Sequence, residues 1–348
     1  MTRASTAATL LALLAASAAV TALAPPVPSG VGPGRPARLD AWRVIGPGGG
    51  GTMRRPAISP HDPKVVILGC DMTGAYLTAD GGASWRMINF GSVPTAFAFD
   101  PARPSTLYAG AGAVYRSDDA GRRWRMVLPD PAKGTAAKAI GDHGDRVLFT
   151  EDPAYPGSGR SVTVHAIAVD ADDPARVYAA ASAADSPIPG TPASPTLLLG
   201  STDGGRSWSR VTAFSAERIF ALRADGRGRD VRALGETGVH EGDGAAWRHV
   251  PAPGGGRFTS GAFGRDPRSG VVFAYATLPL VSHPQGIAGP PLAGRAGAVA
   301  EGVAGGLQAS DDGGRTWRPA NGSLLAAVGD VSSGNEWGPA RGSRPSLG

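Results

Sequence analysis

The chain has 348 residues, a net charge of +5, 52 glycines, 31 prolines and one cysteine. A single cysteine, Cys70, excludes an internal disulfide and a cysteine-based zinc site, and the glycine and proline content favours many turns over long helices. The positive charge is almost all arginine (the lysines are Lys64, Lys133 and Lys138). It is scattered rather than interleaved with aromatics, so no nucleic-acid partner is expected.

In chain order, Arg3 precedes an apolar run from Ala7 to Leu23, with small residues at Ala16-Ser17-Ala18 and at Ala22-Leu23-Ala24. This is the pattern of a secretory signal over residues 1–24, and it predicts a secreted or periplasmic protein with no membrane association after cleavage. No other stretch is long and apolar enough to span a bilayer. Residues 25–40 are rich in Pro and Gly and read as a disordered spacer. Residues 41–348 carry the fold.

That region repeats. Five units align, approximately 56–88, 95–127, 164–211, 218–250 and 261–320. Each holds a short apolar run, an Asp-Pro-type turn, two further runs, an aspartate motif and a Trp-led run. Short strands at this spacing predict an all-β fold, a β-propeller of four-stranded antiparallel blades. A solenoid of β-hairpins is the alternative. Trp42-Arg43-Val44-Ile45 repeats the Trp-led run with no unit before it, as a strand completing the last blade of a ring would. Gly342 to Gly348 resembles the lead-in to unit two. The expectation is therefore five complete blades, a sixth begun, and a chain incomplete at its C-terminus.

The recurring motif is Ser/Thr-x-Asp-x-Gly-x-x-Trp. It carries Asp80, Asp119, Asp203 and Asp312, closed by Trp85, Trp124, Trp208 and Trp317. Its place between the third and fourth strands makes it a hairpin turn, whose glycine permits positive φ and whose aspartate accepts backbone amides. A residue repeated in four blades is expected to be structural, with the tryptophan packing on the neighbouring turn.

The motif resembles the Asp-box, or BNR repeat, of the sialidase-like propeller superfamily. Successive turns of an antiparallel blade alternate between two faces, so the turn joining strands two and three lies opposite the aspartate motif. Unit one places Asp71 there and unit four places Glu236, while insertions add Asp185, His283 and the stretch containing Tyr155. Insertions crowding one face behave as binding loops. "WRVIGPGGGG" followed by Asp71-Met72-Thr73-Gly74-Ala75-Tyr76 is similar to the opening of family-74 glycoside hydrolases, the xyloglucanase-like enzymes. That resemblance implies an oligosaccharide or polysaccharide partner and hydrolysis by a carboxylate pair. Asp71 would be the general base, and its partner would lie on a second propeller absent from this chain. Glu236 is the alternative carboxylate within the chain, and Tyr76, Tyr155, Asp185 and His283 are the candidate substrate contacts.

Two other classes compete. A non-catalytic binding or assembly propeller, of the sortilin or photosystem-assembly-factor type, would use the same loops without needing Asp71. A sialidase would need an arginine trio and a Tyr/Glu nucleophile pair that are not evident. The histidines are dispersed and the Gly48 to Gly51 run precedes no helix, so neither a metal nor another cofactor is expected.

Overall fold

The computed structural model describes residues 46–47, 51–72, 74–140, 145–183, 194–215, 217–266, 271–278 and 306–320. The predicted signal, the Trp42 strand and the start of a sixth unit lie outside these residues. The described chain forms five four-stranded antiparallel sheets arranged as a β-propeller, and not a solenoid. Blade 1 is β1 (Met53–Ile58), β2 (Val66–Cys70), β3 (Gly74–Thr78) and β4 (Arg86–Asn89). Blade 2 is β5 (Ala96–Phe99), β6 (Leu107–Gly110), β7 (Val114–Ser117) and β8 (Arg125–Leu128). A separate hairpin, β9 (Gly134–Ile140) and β10 (Asp145–Thr150), then intervenes. Blade 3 is β11 (Val162–Val169), β12 (Val177–Ala183), β13 (Thr196–Ser201) and β14 (Ser209–Phe214). Blade 4 is β15 (Ile219–Asp225), β16 (Asp230–Gly235), β17 (Gly238–Gly242) and β18 (Trp247–Pro251). Blade 5 is β19 (Ser260–Arg265), β20 (Val272–Leu278), β21 (Gly306–Ser310) and β22 (Arg318–Pro319).

Residue choice follows strand position. Second strands lie between neighbouring blades and are covered on both faces, so they read as unbroken apolar or small runs. β6 (LYAG) and β12 (VYAAASA) are buried at every position. Outer strands have one wet face, and β4 buries only Ile88. Small residues let blades approach closely: a Cβ at Gly110 of blade 2 would lie 2.6 Å from Val164 of blade 3. Fully buried Leu107, Leu198, Leu199 and Leu234 fill the spaces between sheets, and each such side chain contributes about 1.5–3 kcal/mol. The first strands of all five blades line a central channel of about 350 Å³.

The aspartate motifs form the β3–β4, β7–β8, β13–β14 and β21–β22 turns. Asp203 shows the full pattern. Its Oδ1 accepts the Ser201 hydroxyl at 2.8 Å and the Arg206 and Ser207 amides at 2.8 and 2.9 Å, and its Oδ2 accepts the Ser207 hydroxyl at 2.6 Å. Asp80 and Asp312 repeat this with Ser84 and Thr316. Asp119 meets Arg123 at that position, so it accepts the amide without a hydroxyl. In blade 4, where the motif is degenerate, Asp243 takes the Ala245 and Ala246 amides.

The tryptophans pack against aromatic rings of the preceding blade or its crossover, Trp124 on Phe90, Trp247 on Phe214 and Trp317 on Phe258. Trp124 and Trp208 donate their indole N–H to the carbonyls of Gly121 and Gly205, the glycines of their own turns rather than a neighbour's. The turn glycine meets the preceding blade as well. Gly314 has φ +96°, and a Cβ there would lie 2.5 Å from Val239 in blade 4. Arginines reinforce the contact: Arg86 of blade 1 donates to Gly121 O at 2.7 Å, and the buried Arg116 of blade 2 donates to Gly204 O in blade 3.

Partial burial raises the carboxyl pKa values of Asp203 and Asp312, but the bonds from Ser207 and Thr316 outweigh it and hold both at about 2. A depressed folded value contributes stability that is present above the ordinary carboxylate range and lost as the pH falls from about 4 towards 2. Asp203→Ala is expected to cost on the order of 1–3 kcal/mol in denaturant unfolding at pH 7. The deficit should shrink as both proteins are taken below pH 4. A variant as stable as the parent would remove the turn from this role.

Candidate functional site

The face opposite the aspartate turns carries the β2–β3-type turns and the crossovers between blades. In blade 1 this turn follows β2 and presents Asp71. The chain entering β1 folds over it: the Thr52 amide donates to Asp71 Oδ1 at 2.9 Å and the Asp71 amide to Thr52 O at 3.3 Å. Gly51, at φ +92°, makes this possible, because a Cβ there would lie 2.6 Å from Asp71 Oδ1. The Cys70 thiol is 3.7 Å from the same oxygen. The Thr52 amide, more than any other group, holds the Asp71 carboxyl below its usual range, and Arg54 adds to the effect. The carboxylate is ionised, partly exposed and fixed in orientation. Tyr76, half-buried in β3, pairs in register with Leu68 and Met87.

Blade 4 supplies a denser cluster on the same face. Glu236, at the tip of the β16–β17 turn, pairs with Arg257. Beneath it, Glu217 is 6% exposed in the crossover from blade 3. Its Oε2 accepts the Thr237 amide at 3.0 Å and hydroxyl at 2.7 Å, and its Oε1 lies 2.6 Å from His240 Nε2. Burial raises the Glu217 pKa, but His240 and Thr237 outweigh it and hold the carboxyl below the usual range. His240 stacks on His249 at 4.5 Å and against Phe214. Glu217 is the most elaborately held carboxylate on this face, and sequence reasoning passed over it. Its partners lie 20 and 23 residues away, with no motif joining them.

The structure corrects one candidate and leaves two aside. Tyr155 was expected to contact substrate. It is buried at 6% exposure and donates its hydroxyl to Gly112 O at 2.6 Å, so burial pushes its pKa up and its ring belongs to the core. Asp185 and His283 lie outside the described residues. Asp71 and Glu236 sit on different blades and share no partner, being held by Thr52 and Arg257 respectively. Among the described residues, no group of three His, Cys, Asp or Glu side chains is arranged to hold a metal.

Neither a scan of protein-family models nor a search of curated proteins finds a match to the sequence. The fold does have solved counterparts. An ancestral GH74 enzyme superposes with a TM-score of 0.52 and 18% identity, over 81% of this chain and 33% of that one. The GH74 xyloglucanase from Xanthomonas campestris gives 0.45 and 19%, over 76% and 37%. YCF48 bound to D1 peptide gives 0.42 and 12%, over 77% and 68%. The chain thus spans about a third of the length of the two GH74 structures. At these identities the likeness is one of fold.

Tyr155→Phe is expected to lose about 1–3 kcal/mol in chemical denaturation, because it strands the buried Gly112 carbonyl. Ligand binding at saturating protein stability should be unaffected. A variant with unchanged stability and weakened ligand binding would return Tyr155 to the surface role.

Proposed function

We propose that this chain is an exported, glycan-acting propeller of the Asp-box type, in which Asp71 is the general base of a glycoside hydrolase acting on plant-type β-glucan or a related polysaccharide. The observation that carries the reading is the Asp71 turn. One carboxylate stands partly exposed on the face free of aspartate turns, oriented by the Thr52 amide and kept ionised. A base that takes a proton from an attacking water must be ionised and fixed within reach of that water. The resemblance of Asp71 to Tyr76 to the family-74 turn, and a fold shared with an ancestral GH74 enzyme, support the same assignment. Export follows from the Arg3-led apolar run at the N-terminus.

Glycoside hydrolysis also needs an acid, a carboxyl that keeps its proton near neutrality. Glu217 is held in the opposite sense by His240 and Thr237, and Glu236 is committed to Arg257. On this reading the acid comes from outside the described residues. The same observation favours a second reading, a propeller that binds or assembles through this face without catalysis.

Asp71→Asn keeps the acceptor for the Thr52 amide and removes the base. Hydrolysis of xyloglucan or of another β-glucan in a panel is expected to fall about 100- to 10,000-fold in kcat, with little change in Tm. Undiminished hydrolysis would exclude Asp71 from the reaction. Glucan binding without hydrolysis by the parent protein would decide for the binding propeller.

A further inference from the structure

The central channel holds charges that the proposed hydrolysis does not use. The inner strands of blades 2 and 5 pair with their neighbours without a register shift. Those of blades 1, 3 and 4 bulge, between Arg54 and Ala57, between Val164 and Ala166, and between Ile219 and Ala221. A bulge re-aims the extra residue. Here Arg55, His165 and Phe220 fall at the three bulges, and all three line the channel. Arg55 does so at φ +54°, a conformation that costs free energy for a side chain other than glycine.

Arg55 is joined by Arg218, at the entry to β15. Both are exposed, Arg55 in the channel lining and Arg218 two residues before Phe220 of that lining, and among the described residues neither forms an ion pair or a side-chain hydrogen bond. Several arginines elsewhere are neutralised: Arg103 by Asp100, Arg116 by Asp118, Arg232 by Asp230. Burial and the charge of Arg218 depress the Arg55 guanidinium. Burial and the same two arginines push His165 down to about 4, while its Nε2 lies 2.8 Å from the Ser182 hydroxyl. The groups acting on both are cations. Like charges in a half-desolvated channel repel, and a bound anion relieves the repulsion while taking charge-assisted hydrogen bonds. Phe97, Phe220 and Phe263 line the same cavity and offer apolar surface to whatever carries the anion.

We propose that the channel is a binding site for an oxyanion group (carboxylate, sulfate or phosphate ester) seated between Arg55 and Arg218, with its carrier against the phenylalanine walls. The site is independent of hydrolysis at Asp71, and binding rather than turnover reads it.

The test is calorimetric titration of the full chain at pH 7 and low salt with sodium phosphate, galacturonate and neutral galactose. Binding of phosphate or galacturonate, without binding of galactose, is expected, with weakening as sodium chloride is added. Preference for galacturonate assigns an acidic sugar as the carrier, and preference for phosphate assigns a small free oxyanion. Arg55→Gln and Arg218→Gln should each raise Kd at least about tenfold. Their Tm should be unchanged or raised, because the substitution removes repulsion rather than a structural bond. Arg218→Gln, which leaves the strained bulge untouched, keeps the test decisive if Arg55→Gln does not fold. No binding of either anion, equal binding of galactose, or variants that bind like the parent would overturn the proposal.

Discussion

The structure depends on one contact, repeated around the ring: the left-handed glycine of an aspartate turn seated against the preceding blade. A blade is a twisted sheet with two apolar faces and has no stability of its own until both are covered. The turn sets how closely the next blade approaches. Gly121 abuts Leu77 and Gly314 abuts Val239, each without room for a side chain to intervene, and Gly205 lies against Tyr108. The aspartate holds the turn in the shape that presents that glycine. The arginine of the preceding blade fills what space remains, as Arg116 does beneath Gly204 and Arg232 beneath Gly313.

The same end of the molecule is tied by the first turn of each blade. His61 of blade 1 lies 2.8 Å from Asp100 O of blade 2, and Arg103 of blade 2 donates to Pro174 O of blade 3 at 3.2 Å. Asp172 and Asp170 of blade 3 accept the Gly226 and Gly228 amides of blade 4. Asp100 and Asp170 are fully buried to do this. With one face occupied in holding the blades together, its loops have little freedom to vary. The opposite face carries the turns of Asp71 and Glu236.

The carboxylates of that opposite face illustrate how environment divides identical groups. Asp71 is held by a single backbone segment and remains partly open to water. Glu217 has every oxygen taken and is closed from water. Glu236 is spent on Arg257 at the surface. The first combines orientation by a backbone amide with access to water, and the proposed base rests on that combination. The channel arginines are the converse case: charges with access and no partner.

Much of the architecture was legible in the sequence, because a propeller is built from local rules. The spacing of apolar runs set the strands, the Ser/Thr-x-Asp-x-Gly motif set the hairpin, and five copies set five blades. The hydrogen bonds of the repeated aspartates were within reach too, since their partners lie within four residues. Contacts between blades were beyond reach. That the turn glycine abuts the preceding blade, that Tyr155 turns inward to Gly112, and that Glu217 gathers Thr237 and His240 all depend on strands brought together from distant positions. The bulges at Arg55, His165 and Phe220 leave no pattern in an apolar run, because one extra residue changes pairing and not composition. The sequence by itself determined which strands and turns exist, through short-range hydrogen bonding and hydrophobic periodicity. Only the tertiary structure decided which side chains face one another, because that depends on how the blades close around the channel.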